Sequence, residues 1–103
     1  MILYNVTVSV DPSKAEEWLS WMRTKHIPDV MATSCFIEGK ISKIQAEEEG
    51  GITYSVMYIC SSEELMKIYS EQHAPLLQKE HSEKFQGYFA AFRTLLTVIE
   101  EFK

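Results

Sequence analysis

The sequence predicts an α+β fold of the ferredoxin-like class, with the element order β-α-β-β-α-β. Three observations predict it: an alternating apolar and polar N-terminus, two stretches with helical periodicity, and two strand-like runs separated by paired glycines. Such an order gives a four-stranded antiparallel sheet with both helices on one face. A chain of 103 residues can bury one hydrophobic core, so we expect a single domain over residues 1–103.

The first strand and the first helix follow from the first third of the chain. Residues 2–10 alternate apolar with polar side chains, as a half-buried strand does. Asp11 is expected to cap the next helix, with Pro12 at its first position. The apolar stripe of this helix consists of Ala15, Trp18, Leu19, Met22 and His26. Pro28 should break or kink the helix, and a short second piece is expected at 28–33.

The middle of the chain predicts two strands joined by a turn. Residues 35–47 alternate loosely, and residues 52–60 are rich in β-branched and aromatic side chains. Between them, residues 47–51 end in two glycines, which supply the positive φ angles that a hairpin needs.

The last third repeats the helix and strand pattern. Ser61 and Glu64 have the spacing of a capping box. The inner side of the helix that follows is expected to hold Leu65, Met66, Ile68, Tyr69 and His73. Pro75 should interrupt this helix and begin another at 75–86, which Gly87 closes. Residues 88–102 are expected to form a long last strand.

Two of the predicted strands are apolar on both faces. In the third strand Tyr54 and Val56 oppose Met57 and Ile59, and the last strand shows the same property. Strands of this kind need cover on both faces, but the chain has no spare helix for the second face. A second copy of the chain is the simplest cover, so we expect a homodimer packed through the open sheet face.

Composition excludes several classes of function. The chain has 15 acidic and 10 basic residues, a net charge of −5, and no concentrated basic surface. We therefore expect neither a nucleic-acid partner nor a membrane partner. No segment approaches the ~18 apolar residues of a membrane helix, and the N-terminus lacks the pattern of a signal peptide. A cytoplasmic protein with reduced Cys35 and Cys60 is expected.

Four segments together resemble a known family. They are residues 2–11 (ILYNVTVSVD), 17–30 (EWLSWMRTKHIPDV), 48–58 (EEGGITYSVMY) and 91–94 (AFRT). The set is similar to a family of short bacterial proteins known only as a domain of unknown function. More distantly, the element order and the Trp-rich first helix ending in His-x-Pro resemble the dimeric α/β-barrel superfamily. That superfamily includes cofactor-independent monooxygenases, haem-degrading oxygenases and members without demonstrated activity, so the resemblance implies fold and dimerisation more than chemistry.

His26 and Arg93 are the candidate catalytic residues. His26 ends the apolar stripe of the first helix, where an imidazole can act as a general acid or base, or can simply cap the helix end. Arg93 lies in a strand among apolar neighbours, so its charge needs a partner. That partner is an internal acid such as Asp29 or Glu38, or it is a ligand carboxylate or phosphate held by a bidentate guanidinium.

Asn5, Trp18, Trp21 and Arg93 are the candidate ligand-binding residues. Trp18 and Trp21 are helix neighbours that either belong to the core or form the wall of a pocket for a flat ligand. Asn5 lies on the polar side of the first strand, where it can hydrogen-bond across a dimer or orient a ligand. Superfamily enzymes often use an Asn of the first strand, but their motifs do not match here residue by residue.

No metal, haem or other cofactor is expected. The pair His26 and Asp29 has helical spacing but lacks a third ligand. His73 and His81 are separated by Pro75 and belong to no haem motif.

Two hypotheses of function remain open at this stage. The first is a homodimer with a small-molecule pocket between sheet and helices, with His26, Arg93 and Asn5 serving a cofactor-independent enzyme that takes a small anionic or aromatic ligand. The second is a non-catalytic dimeric module for binding or sensing. An enclosed cavity above ~300 Å³ with His26 or Arg93 pointing into it would favour the first, and a filled core with Arg93 paired to an acid would favour the second.

Overall fold

The computed structural model describes residues 1–46 and 50–103, and it confirms the predicted fold class and element order. The strands are β1 (Ile2–Val10), β2 (Glu38–Lys43), β3 (Ile52–Cys60) and β4 (Phe89–Thr97). The helices are α1 (Ala15–Trp21), α2 (Ile27–Ala32), α3 (Glu63–Ile68) and α4 (Ala74–Phe85). A 3-10 turn (Pro12–Lys14) precedes α1, and π-helical turns join α1 to α2 (Met22–His26) and α3 to α4 (Tyr69–His73).

The sheet has the strand order β2-β3-β1-β4, and all of its neighbours are antiparallel. β1 and β3 are therefore central, while β2 and β4 are the edges. Val6 pairs with Val56 on one side and with Arg93 on the other. Since directly opposed residues point to the same face, the odd-numbered residues of β4 share a face with the even-numbered residues of β1 and β3. We call this the helix face, because its buried side chains pack against the helices.

Both π-turns lie just before a proline. Pro28 and Pro75 were expected to break their helices, but each helix continues through a wider turn instead. In these turns the N–H groups of Ile27 and Ala74 bond to carbonyls five residues back. A proline has no N–H to donate, so it is tolerated near the start of the helix that follows.

The first π-turn explains an unusual spacing in the sequence. Trp18, Met22, His26 and Val30 lie four residues apart, and all are buried or half-buried. In an α-helix with 3.6 residues per turn, such a row would drift by about 40° at every step. The wider turn at 22–26 offsets this drift, so that His26 still faces the sheet.

Several predicted boundaries were wrong, each for a local reason. Ser62, not Ser61, caps α3, because its hydroxyl accepts the N–H of Leu65. Ile68 is exposed, because it lies on the outer side of that helix. The second strand is limited to Glu38–Lys43. The predicted turn at 47–51 falls partly outside the described residues. Gly50 has the expected positive φ of 82°, whereas Gly51 does not have a positive φ.

The last strand ends five residues earlier than predicted. It ends at Thr97, because β1 begins at Ile2 and offers no further partner. One more hydrogen bond, from Val98 N–H to the Met1 carbonyl, closes the ladder. Ile99 is almost fully exposed beyond it.

No helix within residues 1–46 and 50–103 is long and apolar enough to cross a membrane.

Trp18 lies at the centre of the core. Its side chain is fully buried, and its ring centroid is 4.9 Å from that of Tyr54. Trp21 is only half-buried at the edge of the core.

We predict that Trp18→Ala lowers the free energy of unfolding by roughly 3–5 kcal/mol, as truncation of a buried large aromatic does. Trp21→Ala should cost clearly less, because part of its ring is already in water. Urea denaturation of both variants measures the two losses. Equal losses would contradict the helix phase described above.

Candidate functional site

A buried histidine, His81, connects α1 with α4 on the helix face of the sheet. Trp18 of α1 donates its indole N–H to Nε2 of His81 on α4, at 2.8 Å. Because Nε2 accepts this hydrogen bond, the proton of the neutral ring resides on Nδ1. Burial, followed by the charges of His26 and Arg93, lowers the pKa of His81 to about 4. His81 is therefore a neutral imidazole at physiological pH.

His26 packs beside His81 and has an unpaired nitrogen. The two imidazole centroids are 5.7 Å apart, and Trp21 covers His26 at 5.3 Å. The His26 Nδ1 atom is buried and has no hydrogen-bond partner among the described residues. Burial lowers the pKa of His26, against an opposing effect of Glu80 and Asp29. A buried polar atom without a partner is rare in proteins and calls for an explanation.

Arg93 forms no ion pair with any acid that the structure describes. Of the carboxylates in residues 1–46 and 50–103, none forms an ion pair with it. Asp29 pairs with Lys25 instead. Glu38 lies on β2, at the opposite edge of the sheet. Neither of the two candidate acids, Asp29 and Glu38, pairs with Arg93. Because β4 is an edge strand, the guanidinium reaches water despite its apolar neighbours in sequence.

Arg93, His26 and His81 line one small cavity on the helix face, with a volume of about 30 Å³. That volume holds about one or two water molecules. The other lining residues are apolar or phenolic, apart from one amide. They are Tyr4, Val6, Val8, Met22, Val56, Tyr58, Tyr69, Gln78 and Ala91. Burial raises the pKa of Tyr58 and of Tyr69, so both phenols stay neutral.

An open groove of about 290 Å³ runs beside the cavity, between β4 and the helical segment formed by α3 and α4. Tyr4, Gln78 and Arg93 line both spaces. The remaining groove residues are Met66, Ser70, Ala74, Pro75 and Leu95. Leu95 is 60% exposed, although it lies on the helix face. The helices thus leave the β4 side of this face partly uncovered.

The structure does not bring all of the predicted site residues together. Trp18 and Trp21 line neither space, since they pack behind the two histidines. Asn5 lies on the opposite face of the sheet, where it donates to Thr7 and accepts from the Ser55 hydroxyl. It therefore shares no pocket with His26 and Arg93.

His81 is the main site residue that sequence reasoning missed. It was considered only as a haem ligand, although it falls on the inner stripe of α4 with Leu77 and Phe85. Polar Gln78 on the same helix was also missed.

Within the part of the chain that the structure describes, no group of three His, Cys, Asp or Glu side chains could hold a metal ion. Cys35 and Cys60 are buried and free.

Residues 1–99 match the family model described as "Domain of unknown function (DUF4286)". The chain belongs to this family. Among curated proteins, none matches this DUF4286 chain significantly.

Solved structures show the same fold at low sequence identity. SnoaB, a cofactor-independent oxygenase from Streptomyces nogalater, has a TM-score of 0.68 and 11% identity, with 97% of this chain and 95% of that chain covered. A dimeric ferredoxin-like protein from an uncultured marine organism has a TM-score of 0.69 and 18% identity, with 100% of this chain and 99% of that chain covered. An EthD family protein from Bacillus halodurans has a TM-score of 0.65 and 12% identity, with 91% and 97% covered. At these identities the likeness concerns the fold alone.

The buried histidines predict acid sensitivity for this DUF4286 protein. The unfolded chain binds a proton at His81 near the ordinary pKa of 6.5, whereas the folded chain binds it near 4. The contribution of His81 to the free energy of unfolding is therefore fully present above about pH 6.5 and is lost as the pH drops towards 4. Between pH 7 and pH 5, His81 alone should lower the free energy of unfolding by about 2 kcal/mol.

Urea denaturation at several pH values measures this effect. His81→Gln keeps an acceptor for Trp18 but does not titrate, so it should flatten the profile. A wild-type stability that stays constant from about pH 7 to pH 5 would contradict the neutral, buried state of His81.

Proposed function

We propose that this protein binds a small organic molecule on the helix face of its sheet, at the cavity and groove that meet at Arg93. The observation that carries the proposal is the pair of unmatched polar groups in one place. The buried Nδ1 of His26 lacks a hydrogen-bond partner, and Arg93 lacks a carboxylate, within the described residues. A ligand that bonds to both groups would remove both deficits.

The same two groups support a catalytic role without a cofactor. A neutral imidazole can take a proton from a bound molecule, and the electron pair that stays on that molecule is then stabilised by a nearby guanidinium. His26 provides the imidazole, with its burial keeping it unprotonated, and Arg93 provides the charge. SnoaB, which shares the fold, is a cofactor-independent oxygenase.

The alternative is a binding or sensing module without catalysis. The small volume of the inner cavity, about 30 Å³, favours this alternative, because only a small part of a ligand could reach His26. Both versions use the same site, and turnover of a bound molecule separates them.

We also propose that the protein acts as a homodimer, through the face of the sheet opposite the helices. On this open face, Phe92 is 63% exposed and Leu96 is 43% exposed. Polar groups at its centre already satisfy one another, since Asn5 bonds to Thr7 and Ser55. Their burial against another chain therefore leaves few unpaired groups.

A second copy suits this face better than a strongly charged partner. Glu38 and Lys40 both point to the open face, because they pair with Ile59 and Met57 of β3. A patch that carries both signs of charge can pair with itself about a two-fold axis.

Arg93→Met should leave the stability of the free protein nearly unchanged, within about 0.5 kcal/mol, because the side chain is exposed and pairs with none of the described acids. A urea melt of the purified variant measures the change. A loss of about 3 kcal/mol or more would show a buried internal partner and would count against the proposed site.

A fragment library screened by NMR on the ¹⁵N-labelled protein tests the binding function. Hits should shift the amide signals of Tyr69, Gln78 and Arg93, and these shifts should weaken in Arg93→Met. Lys43→Met is the matched control, since Lys43 is also a basic residue on an edge strand but lies across the sheet from β4. A screen in which no fragment shifts these signals would refute the proposed site.

Sedimentation equilibrium at micromolar concentration tests the dimer, whose interface should bury at least ~1,200 Å² in total. Phe92→Lys should yield monomers, because it places a charge in the apolar interface. Leu76→Lys should remain dimeric, because Leu76 is exposed on α4, away from the open face. A monomeric wild-type chain would disprove the dimer.

A further inference from the structure

The position of Arg93 sets the chemistry of a ligand at this site. Its guanidinium lines both the inner cavity and the outer groove, so a molecule that occupies either space meets it. Tyr4 and Gln78 also line both spaces, so the cavity and the groove lie side by side. The following inference rests on the proposed binding function and specifies it.

We propose that the ligand is a small carboxylic acid with an apolar body, whose carboxylate is held by Arg93 and whose body lies in the groove.

Charge is the first support for this assignment. Among the described residues that line the cavity and the groove, none is acidic and Arg93 alone is permanently charged. The nearby acids Asp29 and Glu80 are both within 4.0 Å of the Lys25 ammonium, which offsets their charge. An anionic ligand therefore meets one cation and no competing carboxylate. A guanidinium binds a carboxylate through two parallel N–H···O bonds.

The amount of charge favours a carboxylate over a phosphate. A phosphate monoester carries close to two negative charges at neutral pH, and proteins usually meet it with several cations or with backbone N–H groups at a helix start. Here the two imidazoles beside Arg93 add no positive charge at neutral pH, because His81 is buried, His26 is half-buried, and this lowers the pKa of both. A site with one guanidinium and otherwise neutral polar groups suits a carboxylate, which carries a single negative charge.

The groove supports the apolar body. Its walls come from Leu95, Met66, Ala74 and Pro75, with Ser70 as a small polar exception. At about 290 Å³ it is close to the lower size of small-molecule pockets, roughly 300 Å³. A chain of about five or six carbons has a suitable size, whereas a bare acetate would leave these apolar walls in water.

His26 gives the inner end of the site a second polar contact. The His26 side chain lines a cavity large enough for one small group, such as a hydroxyl, and its Nδ1 has no partner among the described residues. An acid that carries a hydroxyl near its carboxylate could therefore bond to Arg93 and His26 together. Such a hydroxyl gains affinity because it satisfies an atom that is otherwise unpaired.

NMR titration of the full-length protein tests the assignment with five probes: hexanoate, hexanamide, acetate, 3-hydroxyhexanoate and inorganic phosphate. Hexanoate should bind about tenfold more tightly than hexanamide, because only the acid pairs with Arg93. It should also bind more tightly than acetate and phosphate. Arg93→Met should abolish the preference for hexanoate over hexanamide, while Lys43→Met should retain it. 3-Hydroxyhexanoate should gain about threefold over hexanoate, and His26→Phe, which keeps the ring stacked on Trp21, should remove that gain.

Each other outcome overturns a stated part of the inference. Equal affinities for hexanoate and hexanamide would overturn the carboxylate assignment and leave the proposed binding function standing. Tighter binding of phosphate would overturn it in favour of a phosphate ligand. If none of the five probes binds at millimolar concentration, the carboxylate assignment fails, whereas the binding function is decided separately by the fragment screen.

Discussion

The hydrogen bond between the Trp18 indole and His81 is the contact on which the site depends. It ties α1 to α4 in the core, and it sets which nitrogen of His81 carries the proton. His81 in turn packs edge-on against Phe89, with ring centroids 4.4 Å apart. Phe89 begins β4 and shares the helix face with Arg93. This one hydrogen bond therefore connects α1, through His81 and Phe89, to the strand that carries Arg93.

This contact also explains why the His81 imidazole is neutral. Protonation of His81 would place a hydrogen on Nε2, the atom that accepts the indole N–H, and would leave the buried donor of Trp18 unpaired. The charge itself would lie in a poorly solvated place beside His26 and Arg93. The burial of His81 and its hydrogen bond from Trp18 thus both lower the pKa of this imidazole.

The general fold could be predicted because it depends on local signals. The two-residue period of β1, the cap at Asp11 and the helical stripe through Trp18 all appear where expected. The end of β4 could not be predicted, since it depends on where its partner strand begins. The π-turns had a signal in the four-residue spacing around His26, but Pro28 was interpreted as a break.

The candidate site was only partly predictable, because its geometry depends on distant parts of the chain. His26 and Arg93 do line one cavity, as their chemistry suggested, although their roles stay a prediction. The partner of Arg93 could not be chosen from the sequence, because a local sequence does not indicate whether a strand lies at the centre or the edge of a sheet. The polar partners of Asn5 include Ser55, 50 residues away, and the orientation of Asn5 follows from that strand pairing.

The proposed ligand site and the proposed dimer surface lie on opposite faces of the sheet. Every residue that lines the cavity or the groove lies on the helix face or on the helices. The apolar surface with Phe92 and Leu96 lies on the other side. In the proposed dimer each subunit would therefore carry its own site, with a stoichiometry of one ligand molecule per chain. Since no lining residue crosses the sheet, occupancy of one site has no direct route to the other, and the two subunits should fill independently.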